Sequence, residues 1–525
     1  MRLILTSIVT SLVIAGTVFA ETINVPGDHL TITQAVASAG PGDTVYIEPG
    51  VYAESEIYIG SADLTITGAV HDDGSPAVTI DGSGVSDILI AIGVVGSDGA
   101  TVENIVFTGS LGNALWIYHM NPVIRNCVFT GIDAAVQGAA IWSSDSEAII
   151  EDCRFVNNDG GSTGSIFFTK SNSSSSPGPT LRGCTFEDNT AYSTVVIQYC
   201  NPVIEQCTFE SNTSPDFFGA TVRMLQSAAM VRDCVFSGNV GSGIGAEHAD
   251  GLQILDCTFS DNAVAYGGGV RVSGTSGVDS AIISGCSFMN HVSPMIELGA
   301  ALNSSNIDLA LIECEFMGNR GDAGVWFASG GSYDIDRCLF KNNFDGTCAS
   351  FSSDAAVSMS QCTFIDNSSS GVSIGGFSTA SFSECLFENN HATWGPGGIL
   401  LTQTNTIIDS CEFRANGPVS GSGSGAIYHL QGTLEIVDSL FCENSGDAGD
   451  IDGPWNDAGG NRFEDECPAD CLGDVTGDGA VNVTDLLEVI SAWGSADPNA
   501  DFDEDGLVDA DDVLILLSHF GEACP

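Results

Sequence analysis

Two stretches of the chain carry the same pattern: residues 204–212 read IEQCTFESN, and residues 254–262 read ILDCTFSDN. The pattern is an apolar residue, two mostly polar residues, Cys, any residue, Phe, two further residues and Asn. It recurs in 14 copies between Ile105 and Ser439, and 13 steps across these 334 residues give a mean spacing of about 26. A period of this size is typical of repeat proteins, in which each unit packs only on its neighbours.

The repeat keeps three kinds of side chain at fixed positions. Phe follows the key position by two residues in all 14 copies, and an apolar residue precedes it by three. Asn follows it by five residues in 11 copies, with Ser110, Ile132 and His291 as the exceptions. Ile105 replaces the key Cys in the first copy and Ser439 in the last; the other twelve copies have Cys127, Cys153, Cys184, Cys207, Cys234, Cys257, Cys286, Cys314, Cys338, Cys362, Cys385 and Cys411.

The spacing predicts three short strands and three corners in each copy. Cys and the Phe two residues later share parity, so both side chains point to one face of a strand. The apolar residue three positions before Cys is out of phase with them, so it lies on a preceding strand, with the two polar residues as a corner. Asn marks a second corner because it tolerates the left-handed backbone conformation. A third strand follows, often opened by Gly, as in Gly269-Val-Arg-Val272 and Gly324-Val-Trp-Phe327.

Stacked copies of such a coil form a solenoid with parallel sheets, because each strand pairs with its copy above and below. The pattern resembles right-handed parallel β-helix proteins of the pectate-lyase-like superfamily, over residues 21–463. The resemblance implies an all-β solenoid of about 16 coils with three strands each, roughly 75 Å long at ~4.8 Å per coil. Residues 21–60 resemble the entry region of these proteins, in which a short amphipathic helix, here Leu30–Val36, caps the first coil. The alternative is an array of β-sandwich units.

The 18 cysteines comprise a repeated set of twelve, a C-terminal set of four, and Cys200 and Cys348, which we expect on other strands. We interpret the repeated set as a ladder of buried thiols that act as small hydrophobes, since consecutive parallel side chains rarely present the dihedral angle of a disulfide; stacked disulfides are the alternative. Cys442, Cys467, Cys471 and Cys524 flank the C-terminal end, and four cysteines allow three connectivities. Cys471–Cys524 is the favoured pair, because it would clasp both ends of the tail.

Charge and the N-terminus predict where the protein acts. The 525 residues include 68 acidic and 13 basic residues, for a formal net charge of −55, which argues against nucleic acid as a partner. Arg2, an apolar stretch from Leu3 to Phe19 and small residues before the cut site predict a signal peptide over residues 1–20; the alternative is a membrane anchor. No later stretch is apolar enough to cross a bilayer, so we expect a secreted mature chain without a transmembrane segment.

The tail, residues 467–525, holds 14 acidic residues and no Lys or Arg. Two segments 27 residues apart place oxygen ligands at loop positions one, three, five, nine and twelve, with Gly at position six for the sharp turn and a backbone carbonyl at position seven. The alternative is a disordered acidic tail. The ligands predicted for two calcium ions are Asp474, Thr476, Asp478, Ala480, Asn482 and Asp485, and Asp501, Asp503, Asp505, Leu507, Asp509 and Asp512.

Paired loops with Asp at position twelve resemble a type I dockerin module, and the flanking cysteines resemble a cysteine-framed, GC-type variant of it. The resemblance implies a small α-helical calcium-binding domain over residues 467–525 that docks on a cohesin-like domain. Thr476 stands where the family usually has Asn or Asp. The partner-reading positions Val483-Thr484 and Ala510-Asp511 are not symmetric and lack the usual basic residues. Another surface receptor therefore remains open as the partner.

The candidate sugar-binding and catalytic residues of the solenoid lie on or next to the third strand of the coils. In pectate-lyase-like enzymes, function lies on outward residues of one parallel sheet. The outward aromatic residues predicted to stack on sugar rings are Trp116, Trp142, Trp326 and Tyr428. The candidate catalytic residues are Arg271, Arg223, Glu247 and Asp250, since a basic group beside carboxylates suits proton abstraction. The alternatives are a surface covered by loops and a chance distribution of exposed side chains.

These observations favour a secreted or surface-attached protein that binds or processes polysaccharide and is anchored by a calcium-dependent dockerin-like module. If the chain is an enzyme, the resemblance implies a polysaccharide lyase or a glycoside hydrolase of pectate-lyase-like type. A non-catalytic structural or adhesive rod is the alternative.

Overall fold

The computed structural model describes residues 20–83, 88–93, 98–134, 137–161, 164–171, 177–214, 219–263, 267–293, 299–321, 325–393, 395–419, 421, 423–467, 473–476, 480–495, 497, 499–503 and 506–521. The chain forms two compact units. The solenoid unit comprises residues 1–439 and 444–461, and the C-terminal unit comprises residues 440–443 and 462–525. All but the last residue of the predicted signal peptide lies outside the described residues.

The solenoid unit is a right-handed β-solenoid of about 16 coils, as predicted. Three parallel sheets run along it. Sheet A contains the apolar residue that precedes the key position, sheet B contains the key Phe, and sheet C follows the Asn corner. Neighbouring strands are in register, so each position stacks on its own copy: Phe209 pairs with Phe236, and Phe236 with Phe259. The repeat is therefore the coil.

The strands of the three sheets have the following bounds. Sheet A consists of Thr22–Val25, Thr44–Ile47, Thr65–Gly68, Thr101–Glu103, Val123–Arg125, Ile149–Glu151, Pro177–Arg182, Asn201–Glu205, Met230–Arg232, Leu252–Leu255, Ser280–Ser284, Asp308–Ile312, Ser332–Asp336, Ala356–Ser360, Thr379–Ser383, Thr404–Asp409, Gly432–Val437 and Asn456–Gly459. Sheet B consists, within the solenoid unit, of Gly50–Tyr52, Val78–Asp81, Ile105–Thr108, Val128–Thr130, Arg154–Val156, Thr185–Glu187, Thr208–Glu210, Val235–Ser237, Thr258–Ser260, Ser287–Met289, Glu315–Met317, Leu339–Lys341, Thr363–Ile365, Leu386–Glu388 and Glu412–Arg414. Sheet C consists of Ile57–Ile59, Ile90–Ile92, Leu115–Tyr118, Ile141–Ser144, Ile166–Thr169, Val195–Gln198, Ala220–Leu225, Ser242–Glu247, Val270–Ser273, Leu302–Ser305, Trp326–Ser329, Ala349–Ser352, Val372–Ile374, Ile399–Leu401, Ile427–His429 and Ile451–Asp452.

Short additional strands follow the Asn corner in some coils. They pair as Asp159–Gly161 with Thr190–Ala191, as Val292–Ser293 with Arg320–Gly321 and Phe344–Asp345, and as His391–Ala392 with Gly417–Pro418. Some coils thus have a fourth strand, which the repeat pattern did not predict.

The key Phe side chains form one buried column through the solenoid unit. Thirteen rings, from Phe107 to Phe413, stack face to face with centroid distances of 4.6–5.1 Å and interplanar angles of 2–12°. The centroid distance is close to the strand spacing of a sheet, so the backbone register alone brings the rings into contact. Burial and ring stacking both stabilise the column.

Of the three predicted corners, the two that the repeat pattern marks by residue both exist, but the Asn at the second has a different role from the predicted one. At the first corner, the residue before the key position has a φ of 47–62° in every copy. At the second, the left-handed residue is the one before Asn, as in Ser211 with φ 56° and Asp261 with φ 54°. The Asn side chain itself points into the interior. Asn therefore recurs at this position of the repeat because of the hydrogen bonds that its side chain makes.

The Asn side chains of the repeat form a hydrogen-bonded ladder in two runs, from Asn158 to Asn262 and from Asn319 to Asn444, on either side of His291. Asn212 Nδ2 donates to the carbonyl oxygen of Phe186 at 3.0 Å and to Asn239 Oδ1 at 3.0 Å, and its backbone N–H donates to the same Oδ1 at 2.9 Å. Each side chain thereby satisfies groups in the neighbouring coils that would otherwise be buried without partners. His291 takes one position in the ladder and is fully buried.

The twelve repeated cysteines are free and buried, which confirms the thiol interpretation. Each Sγ lies close to the carbonyl oxygen two residues earlier, as in Cys234, which is 3.2 Å from that of Arg232. The backbone N–H of Cys207 donates to Cys234 Sγ at 3.5 Å, so successive thiols stack. Burial raises the pKa of the Cys153 and Cys314 thiols well above the usual value, which keeps them protonated.

The outer face of sheet A carries alternating charges in its N-terminal half. One outward position reads Glu103, Arg125, Glu151, Arg182, Glu205 and Arg232 in six successive coils. Glu205, which is buried, accepts hydrogen bonds from the guanidinium groups on both sides. Those two Arg side chains hold the pKa of Glu205 below its usual range.

A short helix, α1 (Ile32–Ser38), forms where the entry segment was predicted to cap the first coil. Its N-cap is Thr31, whose side chain accepts a hydrogen bond from the backbone N–H of Gln34. Ile32, Ala35 and Val36 form its buried face, which packs on the first strands of sheets A and C. This face covers strand edges at the start of the solenoid unit.

The C-terminal unit contains the strands Leu440–Cys442 and Arg462–Glu464, which pair with each other, and two helices, α2 (Val483–Ser491) and α3 (Ala510–Ser518). Both helices start with a capping box, formed by Asn482 and Asp485 in α2 and by Asp509 and Asp512 in α3. A small core lies between them, made of Val481, Val489, Ala500, Val508 and Leu516.

Candidate functional site

Outward side chains of sheet C stack in rows, as in the sheets' interior. One row runs through Trp116, Trp142, Phe167, Val196, Arg223, Gly245, Arg271 and Asn303, one residue per coil. The row places aromatic side chains in the N-terminal coils and polar ones in the next coils. Phe167 and Val196, in the middle, are only 3% and 4% exposed.

The aromatic end of the row is a stacked platform. The Trp116 and Trp142 rings lie 5.4 Å apart at 5° to each other, and both are partly exposed. Tyr118, two residues after Trp116 and therefore on the same face, stacks on Trp116 at 5.4 Å and is 37% exposed. Tyr118 was missed in the sequence analysis, although its parity with Trp116 marks it as outward. The platform offers flat apolar faces of the kind that stack on sugar rings.

Trp326 does not belong to this surface, and its assignment as an outward side chain was wrong. It pairs with Leu302 and Ala349, which are inward, and it is fully buried. Its indole N–H donates to Ser304 Oγ at 2.9 Å, which satisfies the buried donor. The sequence pattern placed Trp326 at the position of Arg271, but in the structure it stands at the position of Val270, one residue earlier in the strand. A shift of one residue turns every side chain of a strand to the other face.

Tyr428 does point outward from sheet C and is partly exposed. It pairs with Leu400 and lies eleven coils from Trp142 along the sheet. The structure therefore separates it from the aromatic platform formed by Trp116, Trp142 and Tyr118.

Three of the four candidate catalytic residues come together. Arg223 Nη2 lies 3.3 Å and Arg271 Nη2 3.4 Å from the same oxygen, Glu247 Oε1. Arg223 and Arg271 are two strands apart with Gly245 between them, and a Cβ at Gly245 would approach Arg271 Nη2 to 3.3 Å. The guanidinium of Arg223 also lies over the Tyr192 ring, 4.9 Å from its centroid. We call these residues the Arg–Glu–Arg cluster.

Asp250 lies apart from the cluster, at the corner that leads from sheet C to sheet A. It accepts hydrogen bonds from the backbone N–H and the hydroxyl of Ser280. A cleft of about 450 Å³ at this corner is lined by Asp250, His248 and Asp279. His248 Nδ1 is 3.2 Å from Asp279 Oδ2, so a buried carboxylate orients the imidazole. Asp279 was not among the predicted residues, because it follows His248 by a whole coil in sequence and no spacing rule connects them.

The second acidic loop of the C-terminal unit brings carboxylates together. Ligand oxygens of Asp501, Asp503 and Asp512 lie within 4.8 Å of one another. Asp501 Oδ1 is buried and has no hydrogen-bond partner among the residues that the structure describes. Gly506, at loop position six, has φ 89°, as the sharp turn requires. An oxygen-only set with an unpartnered buried carboxylate oxygen fits a hard cation such as calcium.

Asp512, at loop position twelve, also organises its own loop. It accepts hydrogen bonds from the backbone N–H groups of Phe502 at 2.6 Å and Asp509 at 2.7 Å. Burial alone would raise the pKa of Asp512, but these bonds lower it below the usual value, so the carboxylate is held ionised. Leu507 and Asp509 lie in the same loop, and Asp505 lies outside the described residues.

The first loop has the same arrangement around its last carboxylate. Asp485 is buried and accepts hydrogen bonds from the backbone N–H of Thr476 at 2.9 Å, its hydroxyl at 2.8 Å, and the backbone N–H of Asn482 at 2.8 Å. Asn482 caps α2, as Asp509 caps α3. Asp474 and Ala480 lie in this loop, and Asp478 lies outside the described residues.

Cys442 and Cys467 of the C-terminal unit form a disulfide bond. This bond excludes the two connectivities in which either residue pairs with a tail cysteine. Cys471 and Cys524 both lie outside the described residues, so their pairing stays a prediction.

Both helices of the C-terminal unit expose apolar side chains at equivalent positions. On and just after α2 these are Val483, Leu487, Ile490 and Trp493, which are 49–59% exposed. Leu514, Leu517 and Phe520 stand 27 residues after the last three and are 43–62% exposed. Helical spacing places each set along one stripe, away from the core. We call these the two apolar stripes.

Comparison with known families agrees with this architecture. A family described as the right-handed β-helix region matches residues 67–221, 175–306 and 298–463, more than half of the chain. The chain belongs to the right-handed β-helix family. A second family, the dockerin type I domain, matches residues 472–520. The C-terminal unit therefore contains a dockerin domain, and dockerin domains bind calcium and a cohesin partner.

Individual relatives are distant. The metabotropic glutamate receptor-like protein R of Dictyostelium discoideum is 28% identical over 174 residues, which are 32% of this chain and 11% of that protein. A variant catalytic domain of GH87 α-1,3-glucanase in complex with nigerose is 11% identical with a TM-score of 0.35, over 75% of this chain and 66% of that one. A PL6 alginate lyase complex with a trisaccharide is 11% identical with a TM-score of 0.33, over 69% and 85%. The chain spans about a tenth of the curated relative and just under two thirds of the glucanase domain.

None of the helices in the described part of the chain combines the length and the hydrophobicity that crossing a bilayer requires.

Proposed function

We propose that the chain binds polysaccharide along the outer face of sheet C and acts outside the cell, held there by its dockerin domain. The observation that carries the proposal is the aromatic platform of Trp116, Trp142 and Tyr118. Three stacked, partly exposed aromatic side chains on a flat parallel sheet are costly in water unless a ligand covers them. A sugar ring has flat apolar faces that can stack on these aromatic rings, and its hydroxyl groups can contact the polar side chains further along the row.

The dockerin domain supplies the attachment. We propose that both loops bind one calcium ion each, through the twelve predicted ligands, and that a cohesin-like domain or another surface receptor covers one of the two apolar stripes. Because the stripes are equivalent under the internal repeat, either can engage the receptor. Their apolar character predicts a receptor with an apolar binding face, since both stripes lack basic side chains.

Affinity electrophoresis of the full chain in gels that contain neutral or acidic polysaccharides tests the proposed binding. We expect retardation in at least one polysaccharide and its loss in the Trp116→Ala/Trp142→Ala variant. Phe377→Ala is the matched control, because Phe377 is 72% exposed at a corner outside sheet C and should not affect binding. Equal mobility of all three proteins in every gel would favour the structural rod.

The same incubations test for catalysis by the Arg–Glu–Arg cluster, which we propose as the position of any cleavage. Unsaturated chain ends would identify a lyase, and new reducing ends alone would identify a hydrolase. Glu247→Gln should abolish either activity, and the Phe377→Ala protein should retain it. Binding without new ends in any polysaccharide would identify a binding protein.

A further inference from the structure

We propose that two copies of the chain associate face to face through the outer surface of sheet A, about a two-fold axis at Ser358. The surface concerned spans seven successive strands, from Ser280–Ser284 to Gly432–Val437, and we call it the sheet A patch. The patch is separate from the proposed polysaccharide face on sheet C and from the dockerin domain. The inference therefore goes beyond the proposed function and adds a partner, a second copy of this chain.

The sheet A patch carries both a hollow and a projecting side chain. Its middle row has short side chains on four successive strands, Ala310, Asp334, Ser358 and Ser381. A cavity of about 650 Å³ lies over this part of the sheet. On the next strand the same row continues with Ile407, which is 50% exposed. A surface with both features can fit a copy of itself, because the projecting side chain of each copy can enter the hollow of the other.

A two-fold axis that runs parallel to the strands, over Ser358, brings these features together. Such a rotation reverses the order of the strands and keeps the position along each strand. Ile407, two strands after Ser358, then faces Ala310 of the second copy, two strands before it. Ser358 faces its own copy, and the two interactions between Ile407 and Ala310 are equivalent.

Charge separates this arrangement from the other face-to-face arrangement. The outward acidic side chains of the patch are Asp308, Asp334, Asp336, Asp409 and Glu435. About the axis parallel to the strands, Asp308 faces Asn405, Asp334 faces Ser381, and none of the five faces another carboxylate. An axis parallel to the solenoid would place Asp334 and Glu435 opposite their own copies, and like charges placed opposite each other are costly. The first axis is therefore the favoured one.

Hydrogen bonding agrees with the pairing of Asn405 and Asp308. Asn405 Oδ1 accepts hydrogen bonds from the backbone N–H of Thr433 at 3.2 Å and from its hydroxyl at 2.9 Å. These bonds orient the amide, so its Nδ2 donors remain available to the second copy. Asp308 Oδ1 accepts a bond from the backbone N–H of Ser332 at 3.2 Å, which leaves Oδ2 as an acceptor. A bond from an amide to a carboxylate is charge-assisted, and the symmetry forms it twice.

The size of the sheet A patch suits a reversible dimer. Seven strands spaced about 4.8 Å apart, with five residues of about 3.3 Å each, give an outline of about 550 Å² per copy. Stable complexes bury roughly 800 Å² of accessible surface per partner, and the accessible surface of side chains exceeds their outline. The short side chains also allow the two sheets to approach closely. We therefore expect association that depends on protein concentration.

Sedimentation velocity of the full chain between about 1 and 100 μM tests the proposal. We expect the mean mass to rise toward that of two chains as the concentration increases. Added salt should strengthen the association, because each copy has a formal net charge of −55 and salt screens their repulsion. A parent chain that stays monomeric over this range, at low and at high salt, would overturn the proposal.

Charged variants at Ser358 test the position of the axis. Ser358→Glu and Ser358→Lys each place like charges opposite each other and should raise the dissociation constant at least about tenfold. An equimolar mixture of the two variants pairs opposite charges and should restore association to within about threefold of the parent. Thr363→Glu and Thr363→Lys are the matched controls, because Thr363 lies on sheet B of the same coil and should leave association unchanged. Circular dichroism verifies that each variant is folded.

The variants also identify a dimer that uses another surface. Association that persists in both Ser358 variants would place the contact outside the sheet A patch and overturn the proposal. Loss of association in both variants without recovery in the mixture would also overturn it, because Ser358 would then not face its own copy. Recovery in the mixture, together with unchanged association in the Thr363 controls, would support the two-fold axis at Ser358.

Discussion

The solenoid unit and the dockerin domain are ordered by opposite means. In the solenoid unit, thirteen Phe rings stack on one another, and the Asn side chains form hydrogen bonds from coil to coil. The partners in both sets of contacts belong to the chain itself. In the dockerin domain, ligand oxygens of three aspartates lie within 4.8 Å of one another, and one buried oxygen has no partner in the described part of the chain. Repetition of neutral groups thus gives order without a ligand, whereas clustered carboxylates require a cation.

Removal of calcium tests this difference most directly and should have the largest effect. In an isolated fragment of residues 467–525 with Cys467→Ser, chelation should eliminate the signal of α2 and α3, because site formation and folding are coupled. Circular dichroism at helix wavelengths measures the loss, and added calcium should restore the signal. Helices that persist in excess chelator would show that the small apolar core suffices.

Truncation of one ring in the Phe column should have the next largest effect. Phe259 is fully buried between Phe236 and Phe288. Phe259→Ala should reduce the free energy of unfolding by about 3–5 kcal/mol, as for other buried aromatic residues. Phe377→Ala, at an exposed position, should change it by less than about 0.5 kcal/mol. Urea unfolding compares the two, and equal values would mean that the column does not stabilise the fold.

The sequence predicted this column because its information is local and repeated. Parity places Cys and Phe on one face, and 14 copies reveal a pattern that a single copy would hide. The role of Asn was misassigned for a physical reason: both a left-handed corner and a buried ladder favour Asn, and spacing alone does not separate them. Only the backbone angles show that Ser211, one residue earlier, is the left-handed one.

The candidate site was less predictable, because outward positions depend on the exact register. The convergence of Arg223, Glu247 and Arg271 followed from stacking coils of known period. The inward position of Trp326 could not be predicted in this way. The prediction aligned this strand with the strand of Arg271 by the glycine two residues earlier, and the structure shifts the alignment by one residue. Asp279 depends on the path of a corner whose length varies between coils, so no sequence rule could pair it with His248.

Acid should weaken the solenoid unit at the point where His291 replaces Asn. Burial lowers the pKa of His291 to about 4, against about 6.5 for an exposed histidine. The unfolded chain therefore takes up a proton more readily, and stability is lost as the pH falls from about 6.5 to about 4. The full loss should be about 3 kcal/mol.

His291→Asn isolates this contribution from that of the many carboxylates, because the carboxylates titrate in both proteins. The difference in unfolding free energy between the variant and the parent, measured at several pH values, should grow in favour of the variant as the pH falls. A constant difference would show that His291 stays accessible to protons in the folded chain.

The smallest expected effect concerns Trp326 and Trp142, which the sequence analysis both predicted to point outward. Trp326→Phe removes a buried indole N–H and its bond to Ser304, and should cost about 1–2 kcal/mol of stability without a change in polysaccharide binding. Trp142→Ala, in contrast, alters a partly exposed ring of the platform and should weaken binding with less effect on unfolding. Unfolding curves and affinity electrophoresis on both variants compare the two roles. Loss of binding in Trp326→Phe with unchanged stability would place that ring on the surface, and the inward register of its strand would then be wrong.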